Sequence, residues 1–574
     1  MSAIPSLAEV HARLTATGSL FEIEELSIRG VPTRVWKNAP RSLRAVLDSS
    51  RAHGDKVFLV YEDERVSFEE HYRRTAGLAK VLVDAWGVRK GDRVAIAMRN
   101  FPEWPLAFWA AAAAGAIVVP LNAWWKGEEL EYGLADSGAR VLFCDAERAH
   151  RLAPHFAKLA TLERVVVARD EVGPVAGQLR FEDVLREGPA DGALPDVALE
   201  PEDDATIFYT SGTTGKPKGA LGTQRNICGN LVSLAFAQMR GALRSDAAPA
   251  PAPAAPAVQQ AQLLSVPFFH ATGCHSVLCA NTAFGGKLVM MHKWDAERAM
   301  QLIEREQITS FGGVPSMVWE VIEHPRFRQY DLSSVKSVGY GGAPAAPELV
   351  RRIKAVFPGG TPGNGYGLTE TSSVTTFNNA ADYERKPDSV GAAVPVCEVK
   401  IVAPDDARGT KLPIGEVGEI WIKGPNVVKG YWGKPEATAE SFVDGWLRSG
   451  DLGRLDDEGF VYIVDRAKDM VIRGGENVYC VEVESALYDH PSVTDAAVVG
   501  IPHRVLGEEV GAVVTVNPGA DVSEEQLRTH VAARLASFKV PVRIEIRTDP
   551  LPRNATGKIL KRELREELAK RWGS

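Results

Sequence analysis

Along most of the chain, short apolar runs rich in β-branched residues alternate with longer, polar, helix-like stretches. Residues 93–98 (RVAIAM), 140–144 (RVLFC) and 164–168 (RVVVA) are three such runs, each preceded by a helical segment. Runs of this length read as buried strands, and their alternation with helices is the signature of a mostly parallel sheet covered on its faces. The pattern over residues 30–36 is too weak to place. The last hundred residues differ. Residues 471–472, 496–500 and 511–516 read as short strands, and 523–535 and 559–572 as charged amphipathic helices, which describes a compact α+β module. The polar segment 464–470 (VDRAKDM) is the expected joint, so the chain divides into 1–464 and 465–574.

Residues 104–121 carry no charge and are long enough to span a membrane. Their five consecutive alanines, Ala110 to Ala114, are weakly apolar, Gly115 interrupts them, and Pro105 and Pro120 lie near the ends. The expectation is a buried helix over 106–114 followed by a buried strand over 117–120. Residues 247–257 (AAPAPAPAAPA) can neither continue a helix nor pair in a central strand. They read as an exposed surface insertion, with a protein-ligand site as the other reading.

Composition narrows the function classes. Of 574 residues, 45% are hydrophobic, and 66 basic against 74 acidic residues leave a net charge of −8. That much apolar surface excludes disorder for the bulk of the chain. Acidity without a basic run argues against a nucleic-acid footprint. The six cysteines show no CxxC pair and no zinc spacing, which points to reduced thiols. The N-terminus lacks an apolar signal core, so a cytoplasmic location is expected.

The chemistry lies in the loops. Residues 209–220 (YTSGTTGKPKGA) follow an apolar strand with glycines, hydroxyls and two lysines. Glycines let backbone N–H groups approach an anion, and Ser211, Thr213, Thr214, Lys216 and Lys218 add donors and charge, so this is a phosphate cradle by chemistry. It is not a Walker A loop, because Thr210 and Pro217 stand where that motif needs Gly and Ser/Thr. Residues 364–371 (NGYGLTET) offer an aromatic face at Tyr366 and a hydroxyl–carboxylate pair, Thr369 and Glu370, suited to Mg²⁺ with bound phosphates. Asp451 sits in a tight turn, Arg466 and Gly474–Gly475 follow, and Lys558 opens the final helix.

In order, YTSGTTGKPKGA, PFFHATG (267–273), YGGAP (340–344), NGYGLTET, RSGDLGR (448–454), DRAKDMVIRGGEN (465–477) and LPRNATGK (551–558) resemble the adenylate-forming superfamily, and within it the acyl-CoA synthetases of fatty-acid–CoA ligase type. The resemblance implies a large N-terminal part of two doubly wound subdomains plus a distorted β-barrel, and a small mobile C-terminal lid. It implies two half-reactions. A carboxylate attacks the ATP α-phosphate to give acyl-AMP and pyrophosphate, then the CoA thiol displaces AMP. It places Thr210, Ser211, Gly212, Thr213, Thr214, Gly215 and Lys216 on the β- and γ-phosphates. Gly342, Ala343 and Tyr366 would lie around adenine, Asp451 and Arg466 on ribose, Thr369 on phosphate and Glu370 on Mg²⁺. Lys558 would bridge carboxylate and α-phosphate, Lys468 would be the hinge, and Gly474 and Gly475 would reach the pantetheine tunnel after the lid turns. His270 would line the acyl passage, with Phe311, Gly312, Gly313 and Gly341 walling the acyl pocket. Cys480 stands where proline is usual, which suggests a less rigid turn, and Asn364 stands where Gln is also common.

No cationic residue lies in the pocket stretches, which favours a medium- or long-chain fatty acid. An aryl, arylalkanoic or steroid side-chain acid is the alternative, as is transfer to a carrier protein. A luciferase-like oxygenase and a catalytically dead nucleotide binder are the rivals from other classes. A homodimer is expected by resemblance, with no membrane span and at most peripheral membrane contact.

Overall fold

The helix Glu103–Ala113 is apolar on every face, so it can only sit inside, and all its residues from Trp104 onward are buried. The strand Ile117–Pro120 follows it directly into a sheet. That places the uncharged stretch in the core, and no helix among the described residues is long and apolar enough to cross a membrane. The computed structural model describes residues 4–170, 177–189, 191–210, 216–245, 258–341, 347–357, 359–404, 406, 408–474, 476–517, 519–554 and 557–572. Ser211, Gly212, Thr213, Thr214, Gly215, Gly342, Ala343, Gly475 and the insertion 247–257 lie outside the described residues.

Two sheets form the large N-terminal part. The first has seven strands, in the spatial order Lys218–Thr223, Asp204–Thr210, Ile117–Pro120, Arg93–Ala97, Val141–Asp145, Arg164–Ala168 and Leu179–Arg180. All its pairings are parallel except the first. Because helices cover both faces, its central strands are buried along nearly their whole length. The second sheet contains a parallel run, Val57–Tyr61, Lys287–Met290, Ala261–Leu264, Ser310–Gly313, Ser337–Gly341 and Thr361–Tyr366. It continues through antiparallel strands to Glu398–Val402, and the pairings among the described residues do not close these into a barrel. The weak stretch after residue 30 is a strand, Val31–Trp36, in a hairpin with Ile23–Ile28.

The strand Phe460–Arg466 ends the large sheet and Val471–Arg473 begins a separate five-stranded one, with residues 467–470 between them. That small sheet carries the hairpin Val493–His503 and Gly507–Val516 and the helices Cys480–Tyr488, Glu524–Ala532 and Lys561–Trp572. The C-terminal part is thus the α+β module read from the sequence. Cys480, expected to loosen its turn, is instead tied at both ends. Its N–H, which proline would lack, donates to the buried Asp465 carboxylate, and its thiol donates to Asp469 O at 3.0 Å.

Candidate active site

Described residues at and after the C-terminal ends of the parallel strands, among them Asn122, Ser265, Gly313, Gly341 and Thr369, come together beneath the small domain around a cleft with about 1480 Å³ open to water. Crevices at strand C-termini are where α/β sheets place their ligands. Thr210, His270, Phe311, Gly312, Gly313, Gly341, Tyr366, Thr369, Glu370, Arg466, Lys468 and Lys558 all line this one cleft, although they span most of the chain. Lys216 lies outside it, exposed, with its ammonium 4.9 Å from the Tyr132 ring. Gly474 is also outside, in an exposed turn of the small domain at φ +58°.

Two antiparallel strands and the end of the parallel strand Thr361–Tyr366 set the polar end. Asp451, on Trp446–Leu455, pairs directly with Arg466 on Phe460–Arg466. The Arg466 guanidinium donates to Asp451 Oδ1 at 2.7 Å, and the Tyr366 hydroxyl donates to Asp451 Oδ2 at 2.8 Å. Both carboxylate oxygens are therefore fixed, and Asp451 is only 5% exposed. The Asp451 charge raises the Arg466 pKa, while burial raises that of Tyr366, so both keep their protons.

Lys558 arrives from the small domain. Its N–H donates to Asn554 Oδ1 at 3.0 Å, closing the turn that carries it. Gly557, before it, has φ +79°, and a Cβ there would lie 2.6 Å from Val314 Cγ2, so the turn packs directly on the large domain. Burial lowers the Lys558 pKa, and the nearby Arg466 lowers it further; Asp451 and Glu370 attract the charge and oppose this. Lys558, Arg466 and Lys468 set three cations against the two carboxylates, and shielding from water strengthens the pull of the remaining positive charge on an anion. His270, nearby, is pushed down to about 4 by burial and then by the Lys558 charge, so its ring is neutral at physiological pH. Lys468 lies in the turn between the two parts, its pKa lowered by burial and by Arg466.

Glu370 sits in the single turn Thr369–Thr371. Two partners that the sequence reading missed hold this end of the cleft. The Tyr431 hydroxyl donates to Glu370 Oε1 at 2.8 Å, and Val428 N–H donates to Glu370 O at 3.0 Å. Glu419 accepts the Gly450 N–H at 3.1 Å and the Arg448 guanidinium, steadying the turn before Asp451. Neither Tyr431 nor Glu419 stands out locally, since each lies on a strand or loop whose partner is distant in sequence.

The cleft continues away from these charges along the parallel strands. Phe311 belongs to its wall, but its ring packs into the core on the far side of the sheet, 5.7 Å from Phe357. Glycine is required where the strands crowd. A Cβ at Gly312 would lie 1.5 Å from Gly339 O, and one at Gly341 would lie 2.5 Å from Gly365 O. At Gly339 a Cβ would meet nothing within 4 Å, because the position opens on the cleft.

A convergent set of a buried carboxylate, an anchored arginine, a shielded lysine and a glutamate, next to a long glycine-floored channel, suits a nucleotide joined to an extended acid. Comparison with known proteins agrees. The profile of the AMP-binding enzymes matches residues 46–432, and that of the AMP-binding enzyme C-terminal domain matches residues 482–558. A feruloyl-CoA synthase from Amycolatopsis is 38% identical over 503 residues, covering 88% of this chain and 94% of that protein. A long-chain-fatty-acid–CoA ligase from Bacillus subtilis is 33% identical over 554 residues, covering 92% and 94%. Among solved structures, an anthranilate CoA ligase in complex with anthranoyl-AMP superposes with a TM-score of 0.81 at 27% identity, covering 92% of this chain and 97% of that one. The chain therefore belongs to the AMP-binding enzymes, as an AMP-forming acid–thiol ligase of the acyl-CoA synthetase group.

Proposed function

We propose that this ligase activates a medium- or long-chain carboxylic acid as its acyl-AMP and passes the acyl group to CoA. The observation that carries this reading is the continuity of one cleft from Lys558, Glu370 and Arg466 to Gly339 and beyond. In the first half-reaction, a carboxylate oxygen attacks the α-phosphorus of ATP and the bond to pyrophosphate breaks. Lys558 lies between the two anions and offsets their repulsion, while Asp451 and Arg466 hold the ribose end. In the second, the thiol attacks the acyl carbonyl and AMP leaves with the bridging oxygen. Neither step needs a nucleophile from the protein, so positioning and charge do the work.

Thr369 and Glu370 would hold Mg²⁺. Their hard oxygen donors fit that ion, and the Tyr431 bond occupies one Glu370 oxygen and leaves the other for it. When bound, Mg²⁺ neutralises phosphate charge. The lid domain is taken to begin after Phe460–Arg466 and to turn at Lys468, which would withdraw Lys558 and bring Gly474 to the thiol. A second reading, an arylalkenoic acid, is supported by the 38% identity to a feruloyl-CoA synthase. The test is AMP, pyrophosphate and acyl-CoA formation over acids from acetate to palmitate, with benzoate and ferulate. An optimum among chains of medium or greater length supports the first reading, and an optimum at ferulate the second. A best substrate of acetate contradicts both.

A further inference from the structure

The channel floor changes character along its length. Val338 and Tyr340 of the strand Ser337–Gly341 are buried in the core on one face, so Ser337, Gly339 and Gly341 alternate onto the other, the cleft side. The register is in line across the sheet. Ser337 pairs with Ser310, and Ser310 pairs with Gln262 on the next strand. All three line the cleft, and Gln238 of the helix Gln224–Leu243 lines it too. The channel thus runs from a glycine level at Gly341 to a polar row at Ser337. The spacing is four residues of strand, or about 13 Å at roughly 3.3 Å per residue.

The groups of this row are not used up within the protein. Gln262 Oε1 accepts from Asn281 Nδ2 at 2.6 Å, and Gln238 Oε1 accepts from Asn379 Nδ2 at 3.3 Å, which orients both amides. Among the described residues, the hydroxyls of Ser310 and Ser337 and the two glutamine NH₂ groups have no hydrogen-bond partner in the protein. Phe284, 58% exposed, lines the same cleft. A plain alkyl end arriving there would displace water from these groups and return no hydrogen bond, which is unfavourable. An oxygen at that point would satisfy them.

We infer that the acid this ligase prefers carries a hydrogen-bonding oxygen at its far end, read by Ser337, Ser310, Gln262 and Gln238. This rests on the ligase reading and deepens it. With the carboxyl carbon taken at the Gly341 level, an extended chain, which advances about 3.5 Å per three bonds, covers the about 13 Å to the Ser337 row in roughly eleven bonds. An ω-hydroxy or ω-oxo acid of about ten carbons meets that length.

The experiment compares ω-hydroxydecanoate, decanoate and palmitate by kcat/KM for acyl-CoA formation. It is run in the wild type and in a Ser337→Ala/Gln262→Leu variant whose folding is checked by its thermal midpoint. The expected result is a preference of about tenfold or more for ω-hydroxydecanoate over both plain acids, in line with one or two satisfied hydrogen bonds. That ratio should fall towards one in the variant. A wild-type ratio at or below one, or a ratio the variant leaves unchanged, overturns the inference while the ligase reading stands. Failure of every acid, acetate and ferulate included, to yield AMP and thioester removes the ligase reading and the inference with it.

Discussion

The Tyr431 hydroxyl and the Glu370 carboxylate meet at 2.8 Å, joining residues 61 positions apart. Tyr431 comes from the segment that bridges to Ala220 on the strand Lys218–Thr223, so one hydrogen bond ties that strand to the acidic turn. Burial and the Glu370 charge both raise the Tyr431 pKa, so the phenol stays a donor. A hydrogen bond to a charged acceptor contributes about 1.5–3 kcal/mol. Tyr431→Phe should therefore leave Glu370 loosely held. The expected outcome is a rise of about tenfold in the Mg²⁺ concentration needed for half-maximal adenylation, with a matching weakening of Mg²⁺-dependent nucleotide binding by calorimetry. Unchanged Mg²⁺ dependence would count against this positioning role.

Lys558→Ala should cut pyrophosphate release by about 10²–10³, the usual effect of removing one transition-state charge partner. Thioester formation from supplied acyl-AMP should survive. Equal loss of both half-reactions, measured separately, would refute the assignment.

The same lysine sets an alkaline limit. Its pKa is lowered, so the ammonium is present below that depressed value and lost as pH rises through it. In the free enzyme, kcat/KM for adenylation should fall on the alkaline side earlier than an ordinary lysine would dictate. This limb should be absent from the reaction of supplied acyl-AMP. His270 stays neutral down to about 4, so no step should show a His270 limb at the ordinary histidine value.

Lys468→Pro should spare adenylation and block thioester formation. Proline fixes φ near −65° and so prevents the backbone turn that would reposition the small domain. Pyrophosphate release without acyl-CoA is the expected pattern, and a variant active in both halves would exclude a hinge at this residue.

Gly339→Val should shorten the channel. The added methyls enter open space rather than a packed neighbour, so folding is preserved while the path narrows. The ratio of kcat/KM for decanoate to that for acetate should drop by at least about tenfold. An unchanged ratio would mean that the chain does not pass this position.

The reach of the sequence can be followed residue by residue. The strand Arg164–Ala168 was legible to the residue because a buried parallel strand is apolar on both faces. The helix read over 106–114 was placed correctly but begins earlier, at Glu103, since an acidic residue is favoured in a first turn. The hairpin strand Val31–Trp36 was not readable, as Pro32, Thr33 and Arg34 break its apolar run and its burial neither alternates strictly nor stays continuous. The cleft residues Glu370 and Lys558, and Asp451, buried behind Arg466 and Tyr366 and outside the cleft lining, were legible through ordered motifs. Tyr431, Glu419 and the row at Ser337 were not, because each acquires meaning only through a cross-strand or long-range partner. Register is what turns Ser337, Ser310 and Gln262, dispersed in sequence, into one surface.

The most direct test of the account follows oxygen. The best acid of the panel is labelled with oxygen-18 in its carboxylate, and the AMP formed in the presence of CoA is examined by mass spectrometry. Attack of the carboxylate on the α-phosphorus, then thiol displacement, predicts one labelled oxygen in each AMP. AMP without label would show that the acid is not activated through its adenylate, and would contradict the mechanism proposed for this cleft.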